Sequence, residues 1–122
     1  MAEKIVNKDS KDLERLVSIY LRNFGVPCHL RGYQYLIEAI ILAVKEPKLI
    51  LATKFIYPTV ASKLGTSPAS VERCIRTAIQ IGYKNSNPET IKQLFGNTIS
   101  KKAPTNMCFI NTVSQEIKLN LP

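Results

Sequence analysis

The chain has 122 residues, 17 of them basic and 9 acidic, for a formal net charge of +8, and 45% are hydrophobic. That length suits one domain with a real core, and no apolar run approaches the roughly 18–20 residues a bilayer span needs. The charged start MAEKIVNKDSKD is not a signal peptide, and Cys28, Cys74 and Cys108 are too few and too scattered for a disulfide framework or a zinc site, so free thiols in a reducing cytoplasm are expected.

In chain order, residues 1–9 read as a flexible N-terminal tail or linker and residues 10–122 as one helical domain. Ser10 is placed to cap a helix with the apolar stripe Leu13, Leu16, Val17, Tyr20, Leu21 and Phe24, ended by Gly25 and Pro27. A second helix is expected from about Gly32, burying Tyr33, Leu36, Ile37, Ile40, Ile41 and Val44 and closed by Pro47. Residues 48–56, KLILATKFI, read as a short buried helix or a strand, because apolar runs of this length are ambiguous.

Residues 57–83, YPTVASKLGTSPASVERCIRTAIQIGY, read as a helix, a tight turn and a second helix. Val60 and Leu64 share one face of the first helix, and Ala61 sits where a large side chain would push the two helices apart. Gly65 marks the reversal, Ser67 is a cap and Pro68 suits the first helical position. Val71, Ile75, Ala78, Ile79 and Gly82 form the buried stripe of the second helix. Asn87-Pro88-Glu89 starts a further helix that Gly96 ends, with Phe95 in the core. Thr105 caps a last helix carrying Phe109, Ile110, Val113 and Ile117, and Cys74 and Cys108 are also expected in the core. No period-2 run is evident, so the expected fold is all-α: a compact domain of about six helices with a central helix-turn-helix.

The outer face of the second helix of that motif points to a function. Ala69, Glu72, Arg73, Arg76 and Gln80 fall at i, i+3, i+4, i+7 and i+11 on one stripe, away from the apolar one. A recognition helix lies in the major groove with its N-terminal half against base edges. Arginine bonds guanine O6 and N7 together, and glutamate accepts from the cytosine amino group. The bland reading is a solvated helix with a Glu72–Arg76 pair. Charge favours the first reading: residues 47–110 hold nine basic side chains against Glu72 and Glu89, whereas residues 1–46 are nearly balanced. Enzyme chemistry has little support: His29 is the only histidine, beside Pro27 and Cys28, no acid or serine constellation accompanies it, and no phosphate-cradling glycine loop is present. No cofactor or metal is expected.

The blocks HLRGYQYLIEAI (29–40), TKFIYPTVASKL (53–64), VERCIRTAI (71–79), LFGNTIS (94–100) and APTNMCFI (103–110) resemble the C-terminal DNA-binding effector domains of the stage zero sporulation protein A family of response regulators from endospore-forming bacteria. The likeness covers most of residues 13–119. It implies an all-helical domain that binds a short box close to TGTCGAA, often as tandem copies, and activates or represses transcription. It puts base reading on Glu72, Arg73 and Arg76, the residues that helical geometry also selects. It implies a surface for the RNA polymerase sigma subunit around Asn87 to Ile99. Backbone or flanking contacts are expected from Ser67, Ser70, Thr77, Gln80, Lys101, Lys102, Thr105 and Asn106, the last two because helix-start amides favour an anion.

The family's receiver domain has no counterpart before residue 13, which suits either an excised fragment or a protein without that domain. Thr77 and Ser70 stand where histidine and arginine are common in the family, so flanking contacts are expected to differ. The alternative is a helical interaction module that contacts polymerase or an acidic partner without reading DNA. RNA binding is a weaker third reading, with no aromatic-bearing sheet to stack bases.

Overall fold

A computed structural model of the chain describes residues 2–46, 53–96 and 102–120, with side chains from residue 11 onward and, in the third helix, from residue 55. Six helices follow in order: α1 (Ala2–Phe24), α2 (Arg31–Lys45), α3 (Thr53–Leu64), α4 (Pro68–Asn85), α5 (Pro88–Phe95) and α6 (Asn106–Asn120). The described residues contain no strand.

Helix α1 begins at Ala2, so Ser10 lies inside it instead of capping it, and no break marks the expected boundary at residue 10. Extending a helix costs far less than nucleating one, and residues 2–9 hold no proline or glycine to stop it. The other end is as expected. Gly25 has φ +101°, its N–H reaches the Arg22 carbonyl at 3.0 Å, and the Val26 N–H reaches that of Leu21 at 2.9 Å. This crossed pair satisfies the last carbonyls and turns Val26 into the core.

Helix α2 packs against α1, α3, α4 and α6 and is the centre of the fold. It buries Gly32, Tyr35, Leu36, Ile37, Ala39, Ile40 and Ala43. The buried face is rotated from the expected stripe and wider than it. Tyr33, Ile41 and Val44 are only half-buried, while Tyr35, Ala39 and Ala43 are covered. A helix enclosed on several sides has no single apolar face, and its small residues mark where neighbours come closest.

Helix α3 starts at Thr53, earlier than the expected start at Tyr57; residues 53–56 belong to it, and the rest of the expected short element, 48–52, lies outside the described residues. Pro58 is therefore inside a helix, where it forfeits one backbone bond. Its ring is exposed. The turn after α3 forms as the sequence predicts. Gly65 has φ +70°, and the Thr66 N–H bonds the Ala61 carbonyl at 3.0 Å. Ser67 Oγ then accepts from the Ser70 N–H at 3.1 Å, with Pro68 opening α4. Ser67→Ala should lower stability by about 1 kcal/mol, read as a lower denaturant midpoint with unchanged slope.

Val71, Ile75, Ala78, Ile79 and Gly82 of α4 are all buried, as the periodicity predicts. Asn87 Oδ1 caps α5 by accepting from the Thr90 N–H at 2.8 Å, and Gly96 ends the helix at φ +72°. Helix α5 lies on the core edge. Its Phe95 ring packs 5.9 Å from Phe24 and 6.0 Å from Phe109, which meet each other edge-on at 4.8 Å. Thr105 Oγ1 accepts from the Cys108 N–H at 3.2 Å and so caps α6, which buries Phe109, Ile110, Val113 and Ile117. Cys108 is exposed, contrary to expectation, because it precedes that stripe and turns to the other side of α6; Cys74 is half-buried against the core.

Candidate nucleic-acid interface

The helix-turn-helix puts the α4 stripe at the surface. Ala69, Arg73, Arg76, Thr77 and Gln80 are exposed and Glu72 is half-exposed, while the opposite side of the same helix is sealed in the core. Two close approaches fix the position of α4. Gly32 of α2 lies directly on the Cys74 carbonyl, and Gly82 lies against Phe24 and Val26. Neither glycine leaves room for a side chain, so α4 has little freedom to slide.

Within the stripe, Arg76 donates to the Glu72 carboxylate at 2.7 Å. The intrahelical pair of the bland reading is therefore formed. It does not compete with the functional reading, because the two side chains are 51% and 37% exposed and such i,i+4 pairs contribute only about 0.3–0.5 kcal/mol. A stronger partner, such as a base edge or a phosphate, can displace it.

The edge of α4 borders an open groove of about 580 Å³. Glu72, Arg76 and Gln80 line one wall, Lys102 to Met107 the other, and Tyr57 of α3 also lines it. The structure thus brings Gln80, Lys102 and Thr105 together with Glu72 and Arg76, at the N-terminal end of α6, where backbone N–H groups and the helix dipole favour an anion. Arg73, Ser70, Thr77 and Ser67 stand outside that groove. Ser67 serves as a cap, Thr77 is exposed, and Ser70 is half-buried with its Oγ 4.0 Å from Cys74 Sγ. Lys101 lies outside the described residues.

Asn106, expected to contact the DNA backbone, has a different task. It is 8% exposed, and its amide donates to the Tyr57 hydroxyl at 3.1 Å and to the Glu72 carbonyl at 3.0 Å. It ties the start of α6 to both helices of the turn motif; only its backbone N–H is left to face an anion. Sequence reasoning also missed Tyr57. The residue shares an apolar stripe with Val60, Ala61 and Leu64, and nothing in a linear reading marks a partner 49 positions away. Burial pushes its phenol above the ordinary tyrosine value, against the opposing effect of the Asn106 bond. It is therefore protonated at neutral pH.

Among the described residues, no group of three or more His, Cys, Asp or Glu side chains could hold a metal ion, and no helix is long and apolar enough to cross a membrane. The family model described as "Sporulation initiation factor Spo0A C terminal" matches residues 17–117.

Proposed function

The chain belongs to the Spo0A C-terminal family, the DNA-binding domains of sporulation transcription regulators, and from that premise we propose that α4 enters the major groove and reads a short duplex box in a sequence-specific way. This is a family of DNA-binding regulators and not of enzymes. The observation that carries the reading is the outward stripe of Glu72, Arg73 and Arg76 on a helix whose opposite side is buried in the core. Arg73 and Arg76 read guanine edges, and Glu72 accepts from a base amino group. Lys102, Thr105 and the first amides of α6 hold phosphates beside them, and Lys101, Ser67, Ser70, Thr77 and Gln80 complete the flanking contacts. Phosphate contacts set affinity and register; the base contacts set the choice of sequence. The box is close to TGTCGAA. Tandem boxes bring two copies side by side in the cytoplasm, and the α5 region meets the polymerase sigma subunit.

Selection of duplexes from a random pool tests this. A consensus box should emerge, and a pool that returns none would defeat the proposal. Lys102→Ala should weaken matched and scrambled duplexes by the same factor. It should also flatten the plot of log affinity against log salt by about 0.9, one phosphate's worth. A loss confined to the matched duplex would remove Lys102 from the phosphate contacts.

A further inference from the structure

Tyr57 stands in the wall of the groove that Glu72, Arg76, Lys102 and Thr105 also line. Its ring is half-buried on α3 against the core. Its oxygen accepts the Asn106 amide at 3.1 Å. A phenol that accepts through its oxygen keeps its own O–H as a donor, and the same Asn106 amide also donates to the Glu72 backbone carbonyl at 3.0 Å. One buried side chain thus fixes the phenol at a set distance from the base-reading helix. A hydroxyl held by a buried amide, at the mouth of a groove with two cations and a helix start, is a preset donor for an anionic oxygen.

We infer that Tyr57 is a direct DNA-backbone contact: its hydroxyl donates to one phosphate oxygen seated in this groove, with Asn106 as the residue that positions it. The inference rests on the reading of α4 as a DNA-binding helix and adds to it a contact from the first helix of the turn motif. A phosphate bound there is linked through Asn106 to the backbone of Glu72, so backbone register and base reading share one rigid connection.

The test is a coupling experiment on the full chain. Wild type and Tyr57→Phe are titrated against the selected box, a scrambled duplex, and boxes in which single phosphates are replaced one at a time by neutral methylphosphonates. Tyr57→Phe should bind both unmodified duplexes about tenfold more weakly, the size of one hydrogen bond to a charged acceptor. At one phosphate position, neutralisation should weaken wild type by a clearly larger factor than it weakens Tyr57→Phe, whose remaining loss is the share of Lys102, Thr105 and the α6 amides. Thermal melting establishes that the variant is folded at the assay temperature, and the methylphosphonate scan of wild type reports the contacted phosphates with no substitution at all. Unchanged affinity of Tyr57→Phe, a loss on the selected box alone, or additive losses at every phosphate would each overturn the inference. Failure of wild type to prefer the selected box would instead overturn the reading of α4.

Discussion

Arg73→Ala will lose most of its preference for the matched box over a scrambled duplex while keeping most of its general affinity for DNA. Arg73 is exposed on the outer face of α4, near the N-terminal half that a recognition helix presents to base edges. A bidentate arginine–guanine contact discriminates against the wrong base by roughly 1–3 kcal/mol, or about 5- to 150-fold. A cation that merely sat near phosphates would contribute equally to every sequence. Competition binding with both duplexes separates the two cases, and equal losses on both would show that Arg73 reads no base. Arg73 is the cleaner probe than Arg76, because removing Arg76 also strips Glu72 of its partner at 2.7 Å.

The largest loss of stability should come from a single added methyl group. In Gly32→Ala the new Cβ would fall 2.2 Å from the Cys74 carbonyl oxygen and 2.7 Å from the Ala78 Cβ. Both obstacles belong to the packed side of α4, and the first is backbone, which no rotamer change can move. Relief requires α2 and α4 to separate, with loss of packing between their buried faces. Overpacking typically costs 1–3 kcal/mol, and a clash with helix backbone belongs at or above about 3 kcal/mol. That is a large fraction of the roughly 5–15 kcal/mol that holds a domain folded. The melting temperature should fall by roughly 10–15 °C. Gly65→Ala is the natural contrast: no atom lies within 4 Å of its added Cβ, and only its φ of +70° is unfavourable, at about 1–2 kcal/mol. If the two variants melted together, the Gly32 contact would not be what holds α2 to α4.

The elements set by local chemistry were legible in the sequence. The caps at Ser67, Asn87 and Thr105 and the reversals at Gly25, Gly65 and Gly96 each need only a few neighbouring residues. The buried stripe of α4 was readable because only one side of that helix meets the core. What failed depended on distant partners. The enclosed face of α2 follows from four neighbours that a periodicity count cannot see. Asn106 was expected at a helix start as a DNA-backbone contact, and its burial follows from Tyr57 and Glu72 arriving from two other helices. The early start of α1 and the turn of Cys108 to the surface show that one cap signal or one apolar neighbour is a weak guide when propagation and helix rotation decide. The stripe of Glu72, Arg73 and Arg76 was found from spacing alone, whereas its lateral groove required the fold.

The Glu72–Arg76 latch bears on how the domain would travel along a chromosome. Because the pair is exposed and weak, a phosphate of any sequence can compete for that guanidinium, and its release leaves the Glu72 carboxylate without a partner. That uncompensated carboxylate would repel a polyanion wherever no base donor received it.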